Sequence, residues 1–196
     1  MFIAGERSAF SDFLVGIFAG GFNGVLLSPI SVTKYYGWGS DARSTFYSAA
    51  RDIYHKGGPE VFFKGVNVSI LRDATFGVWY EIVRSGLRHR LEKHNDTWIP
   101  TRFASDAVGA VFASIASAPY NYVRNVIYAT PPNLTPPSIP ECLGDLWREA
   151  RQQPSTWRHI SGRLYLGWGT ARVALGMGLG QFIFDHAKRI LADLNQ

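Results

Sequence analysis

Residues 28–34 (Ser-Pro-Ile-Ser-Val-Thr-Lys) and 118–124 (Ala-Pro-Tyr-Asn-Tyr-Val-Arg) carry one pattern, with Pro29 and Pro119 ninety residues apart. Each ends an uncharged, small-residue-rich apolar run with a proline. A small polar residue follows two positions on (Ser31, Asn121) and a cation five positions on (Lys34, Arg124). A repeated supersecondary unit fixes the architecture before any single element is assigned. Proline in an apolar helix removes a backbone donor and bends the chain, and in a bilayer neighbouring helices can satisfy the freed carbonyl. The cation then lies beyond the bend, where it can cap the helix end or leave the hydrocarbon.

Mean hydropathy is close to zero, but the apolar residues are strongly partitioned. Phe13 to Thr33 and Ala107 to Val123 carry no formal charge, lengths that match or approach the roughly 20 residues needed to cross hydrocarbon. Buried core helices are the competing reading. It is disfavoured because glycine-rich apolar helices pack poorly in a soluble core, whereas small residues let membrane helices approach closely.

The net charge of +5 is spread among alternating acids and bases, which argues for anionic lipid as a partner and against a nucleic-acid surface. One cysteine, Cys142, excludes an intrachain disulfide and makes a Cys-based metal site improbable. The five histidines show no ligand spacing. No nucleophile–base arrangement, paired catalytic carboxylates or phosphate loop is found, so no enzyme, cofactor or catalytic residue is expected. The leading residues carry Glu6, Arg7 and Asp12 and lack the net positive charge of a signal peptide, so no cleavable targeting segment is expected.

After the first proline, Ser44 to Lys56 places Phe46, Ala49, Ala50, Ile53 and Tyr54 on one helical face. Gly57-Gly58-Pro59 breaks that helix, and Phe62-Phe63-Lys64-Gly65 opens an apolar stretch to about Val83. The second half repeats the order. Past a proline-rich loop, Glu141 to Arg151 puts Leu143, Leu146, Trp147 and Ala150 on one face, and Tyr165-Leu166-Gly167 opens a stretch to about Ile190. Each half (residues 1–100 and 101–196) therefore reads as membrane helix, short interfacial helix, membrane helix. The linker from Ser85 to Arg102 is polar, with Trp98 and Pro100 at a membrane boundary. The connecting segments are similarly basic, so loop charge does not set the orientation.

This succession resembles the mitochondrial carrier family, whose odd helices end in Pro-x-Asp/Glu-x-x-Lys/Arg and whose even helices follow an aromatic-basic-glycine step. Pro29, Lys34, Pro119 and Arg124 fit the first motif. Phe63-Lys64-Gly65 fits the second, and Tyr165-Leu166-Gly167 fits it without the basic residue. Gly16, Gly20 and Gly24 look like the close-packing track of an odd helix, as do Ala110, Ser114 and Ala118. Gly176-Met177-Gly178-Leu179-Gly180 is similar to that of an even helix; as a dinucleotide loop it has the wrong spacing and no preceding strand. The resemblance implies an all-α, carrier-like membrane protein of the mitochondrial inner membrane with four transmembrane helices. It also implies short helices facing the matrix.

The departures bear on function. A full carrier has three such units, and this sequence shows two. In the family a matrix gate pairs the motif's acid with a neighbouring base, but Ser31 and Asn121 occupy the acid positions. On the other side, Tyr80-Glu81-x-x-Arg84 and Phe184-Asp185-x-x-Lys188 match a gate pattern by text. Counted from Gly65 and Gly167, the acid positions fall instead on Ser85 and Ala187. Both gates look degraded.

Arg72-Asp73 stands about two turns into an apolar helix, where a charge pair is costly unless it faces protein or water. The resemblance implies substrate contact there, of the kind seen in amino-acid carriers, with Arg172 as the nearest counterpart on the last helix. The alternative, preferred on the sequence, is an ion pair that locks helices. Phe63, Lys64, Gly65, Tyr165 and Gly167 stand at helix N-termini suited to a phosphate, by resemblance that of cardiolipin; simple interfacial anchoring is the alternative. The leading expectation is a non-transporting, carrier-derived structural subunit of an inner-membrane complex, respiratory or ATP synthase, with other subunits as partners. The rival is a transporter of small carboxylates or amino acids.

Overall fold

The computed structural model describes residues 9–39, 45–92 and 101–194. Seven α-helices succeed one another: α1 (Ala9–Gly39), α2 (Phe46–Gly57), α3 (Val66–Glu92), α4 (Thr101–Ala129), α5 (Ile139–Arg151), α6 (Thr156–Arg163) and α7 (Trp168–Leu194). A 3-10 turn, Pro59–Phe63, joins α2 to α3. The long–short–long order expected in each half is present. Helix α6 was not expected, because its eight residues carry no apolar stripe; Ser155 caps it by accepting from the Arg158 amide at 3.3 Å. Trp98 and Pro100 lie outside the described residues.

Helices α1 and α4 continue through Pro29 and Pro119. The Thr33 hydroxyl donates to the Pro29 carbonyl at 2.8 Å, a back-bond of the kind that bends helices. One residue before the proline, Ser28 donates to the Phe62 carbonyl at 2.9 Å and ties α1 to the 3-10 turn.

Contacts divide the chain into two compact units, residues 1–74 with 118–164 and residues 75–117 with 165–196. The first has a core of Val32, Ile53, Val68, Val123, Ile127, Tyr128 and Cys142. Helix α2 contributes Ala49 and Ile53, and α5 contributes Cys142, Leu146 and Ala150, spaced four apart so that they share a face. The apolar faces read from the sequence are too wide: Phe46, Tyr54 and Trp147 are exposed, and Cys142 belongs to the buried face instead. Helix α5 begins at Ile139, earlier than expected, because Ser138 and Glu141 form a capping box. Hydrogen bonds from the Ser138 backbone and side chain hold the Glu141 carboxyl below its ordinary value. Replacing Ser138 with alanine removes that cap, with an expected loss of about 1 kcal/mol read as a lower thermal midpoint.

In the second unit Ser105, Asp106, Ala110 and Ala113 are buried on α4, and Ala174 on α7. Gly178 packs beside Phe103; a Cβ there would stand 2.8 Å from the ring, whereas Gly176 and Gly180 face open space. Only one glycine of the expected α7 track is thus used for close packing among the described residues.

Among the described residues, no helix is long and apolar enough to cross a membrane. The physical reason on α3 is its own charges, Arg72, Asp73, Glu81, Arg84 and Arg88. Large apolar side chains are nonetheless exposed along the long helices, among them Phe18, Phe22, Leu26 and Ile30 on α1 and Phe182 and Ile183 on α7. Surfaces of this kind mark contact with lipid or protein.

Candidate functional site

Three helices of the first unit bring polar groups together in its interior. On α3, Arg72 Nε donates to Asp73 Oδ1 at 2.9 Å, and a second guanidinium nitrogen meets the same oxygen. Both side chains are partly buried. Gly24 of α1 makes room beside them, since a Cβ there would sit 3.7 Å from Asp73 Oδ2 and from Ser69 Cβ. On α4, Arg124 lies within electrostatic range of both Arg72 and Asp73. It donates to Asn121 Oδ1 at 2.8 Å, rests over the Tyr128 ring, and leaves its buried Nε without an acceptor. The Tyr128 hydroxyl pairs with Ser69 at 2.9 Å, and its ring packs against Tyr35.

The chemistry of this set follows from its inventory. A guanidinium offers a planar fork that fits a carboxylate, and a carboxylate can accept from an ammonium. Arg72 with Asp73 therefore presents both halves needed for a zwitterion. Arg124 adds a second cation whose hydrogen-bond partners, Asn121 and Asn125, are neutral amides. Sequence reading located Arg72, Asp73 and Arg124 but missed Tyr128 and Ser69. The available signal was spacing: Tyr128 follows Arg124 by four and Ser69 precedes Asp73 by four, which puts each pair on one helix face.

Other expected residues are placed differently. Lys34 is exposed and sits over the Trp38 ring at 4.5 Å, while Ser31 is half-buried beside Pro29. Arg172 is exposed on α7. The residues proposed for lipid occupy helix entries with special backbone: Gly65 has φ +77°, Gly167 φ +129° and Tyr165 φ 55°. Phe63 and Tyr165 are exposed, as an interfacial aromatic would be. Lys64 instead turns inward and donates to the Thr130 carbonyl, and burial lowers its ammonium from the ordinary lysine value. At the end of α1, Tyr36 donates to Asp52 and accepts from Lys56 at 3.0 Å. The Lys56 ammonium and the Tyr36 hydroxyl hold the Asp52 carboxyl down, and Asp52 in turn pushes the ammonium up. No group of residues that could hold a metal ion occurs among the described residues.

In the second unit the text match Tyr80-Glu81-x-x-Arg84 forms ion pairs. Arg84 meets Glu81 Oε2 at 3.0 Å and Asp106 Oδ1 at 2.8 Å. Sequence counting set this motif aside and gave Asp106 no role. Its signal was a lone acid four residues ahead of the Ala110, Ser114 and Ala118 track, on the close-packed face of α4.

The described residues are thus all-helical, with long helices that carry partly or fully buried charges. Residues 5–95 match the family model described as mitochondrial carrier protein. Over those residues the chain is similar to the mitochondrial carrier family, and that similarity together with the relatives below indicates the mitochondrial inner membrane. It is similar to the human mitochondrial glycine transporter, 28% identical over 60% of this chain and 40% of that protein. It is likewise similar to mitochondrial glycine transporter A of Danio rerio, 28% identical over 66% of this chain and 47% of that protein. The mitochondrial glycine transporter of Pyricularia oryzae is 28% identical over 61% and 41%. The chain thus spans less than half the length of these curated relatives. Their names are those of transporters, the class of the alternative expectation and not of the structural subunit that the sequence put first.

Proposed function

We propose that the chain takes part in carrier-type transport of a small amino acid, glycine in the first instance, across the mitochondrial inner membrane. The observation that carries this reading is the partly buried Arg72–Asp73 pair, which offers a carboxylate site and an ammonium site side by side near Arg124. The names of the relatives supply the substrate class. In this reading α1, α3, α4 and α7 cross the membrane, as two carrier-like repeats over residues 1–100 and 101–196. Exposed apolar side chains face lipid, and the charges on α3 face protein or solute. Anionic lipid, cardiolipin included, would meet the entries of α3 and α7 at Gly65 and Gly167. No bond-making chemistry, cofactor or nucleic acid belongs to the reading.

The test is exchange of labelled glycine by the full chain reconstituted into glycine-loaded liposomes. Saturable uptake, competed by glycine better than by bulkier amino acids, is the expected result. Uptake no greater than in protein-free liposomes would return the chain to the structural-subunit reading, whose own expected signature is migration with a large inner-membrane complex on a native gel.

A further inference from the structure

We propose that Arg124 determines specificity: the solute's carboxylate is shared between its guanidinium and that of Arg72, so the site selects its solute by the carboxylate end. This rests on the transport reading for the identity of the solute, while the binding it requires can be measured without transport. All the residues concerned lie in the first unit. On α3 Arg72 is committed to Asp73. Its Nε and Nη2 both meet Oδ1, and Oδ2 lies toward Gly24 of α1. On α4 Arg124 donates to Asn121 Oδ1 at 2.8 Å and to Asn125 Oδ1 at 3.4 Å, both from Nη2. Its guanidinium rests over the Tyr128 ring at 5.7 Å. Tyr128 is itself fixed: it is 2% exposed, its hydroxyl pairs with Ser69 at 2.9 Å, and Tyr35 of α1 packs on its ring at 5.6 Å. Ser69 and Asp73 flank the same Gly24. One run of contacts thus links Arg124 to the charge pair, and it lies within electrostatic range of both members.

The charges of this group do not balance. Arg72 and Arg124 are two cations, and the carboxylate that acts most strongly on Arg124 is Asp73, which already holds Arg72. Water can satisfy the donors of a guanidinium but cannot neutralise its charge, and like charges repel more strongly in a partly buried site than in water. A carboxylate relieves this. It is acceptor-only, with about four lone-pair sites, so it can accept from two guanidinium groups at once. An ammonium alone gains less, because it adds a third cation and must share Asp73 with Arg72. Glycine serves both ends, with its carboxylate across the two arginines and its ammonium at Asp73 Oδ2 beside Gly24. Most of its affinity therefore comes from the carboxylate.

The experiment compares acetate and methylamine, the two halves of glycine, on the full chain. In detergent at constant ionic strength, acetate is expected to raise the thermal midpoint at about tenfold lower concentration than methylamine. Arg124→Gln keeps a polar side chain over Tyr128 and removes the charge, so it should abolish the acetate shift. Arg124→Lys should keep part of it. In glycine-loaded liposomes Arg124→Gln should raise KM for glycine about tenfold, with a smaller fall in maximal rate, and acetate should cease to compete. If Arg124 serves packing alone, Arg124→Gln lowers the midpoint of the ligand-free chain and leaves acetate ahead of methylamine, which overturns the proposal. Equal effects of acetate and methylamine on the unmodified chain also overturn it, and that comparison needs no variant to fold. If acetate binds through Arg124 but the unmodified chain exchanges no glycine, the transport reading falls and the carboxylate site stands. If glycine exchanges and acetate competes no better than methylamine, only this inference falls.

Discussion

Replacing Arg72 with alanine is expected to reduce glycine exchange by about a hundredfold or more. The guanidinium holds Asp73 and is the fork-shaped donor available to a substrate carboxylate on α3. Removing one partner of a partly buried, hydrogen-bonded charge pair costs about 2–5 kcal/mol, and each 1.4 kcal/mol is a factor of ten. Part of that loss would come from leaving Asp73 unpaired beside Gly24 and Ser69. Arg72→Lys keeps the charge and loses the fork, so it should recover only part of the rate. The measurement is initial exchange rate against glycine concentration, taken with the thermal midpoint of each variant in detergent. The two roles weighed for this pair give different results. A helix-locking pair predicts a lowered midpoint with exchange preserved per folded chain. A substrate contact predicts lost exchange with a smaller change in midpoint.

Much of the architecture was legible because it rests on short-range patterns. Apolar residues spaced four apart on α2 and α5 were visible as faces, and the glycine-proline break at 57–59 marked the turn before α3. Helix α6 left little trace, since an eight-residue helix with no buried residue is specified by its cap and its neighbours. Charges on the long helices were harder still. Arg72 and Asp73 are adjacent in sequence, so their pairing could be read directly. The pairing of Arg84 with Asp106 joins two helices, and the approach depends on Gly109, whose partner across the contact cannot be read from spacing. Counting from Gly65 gave the level of Tyr80 and Arg84 along α3 but not the neighbour they meet, Asp106. The substrate class was not fixed by residues alone; the relatives' names supplied it.

Gly65→Ala is expected to lower stability by about 2–5 kcal/mol. Two penalties combine. The residue has φ +77°, where an L side chain costs about 1–2 kcal/mol. Its Cβ would also stand 3.0 Å from Ile127 Cγ2 and 3.3 Å from Tyr128 Cε1, and both neighbours are buried, so overpacking adds about 1–3 kcal/mol. Gly58 separates the two terms. Its φ is +72°, but a Cβ there meets nothing within 4 Å, so Gly58→Ala should show the backbone cost alone. The check is the thermal midpoint of each variant, with Gly65→Ala well below Gly58→Ala. Function should follow packing, because Tyr128 bonds Ser69 and carries the Arg124 guanidinium over its ring. Displacing Tyr128 disturbs the Arg124 guanidinium over its ring and the bond to Ser69 of α3, so Gly65→Ala should slow exchange while Gly58→Ala leaves it nearly unchanged. Equal midpoints for the two variants would mean that Ile127 and Tyr128 yield freely, and that the entry of α3 is held by backbone geometry rather than by its contact with α4.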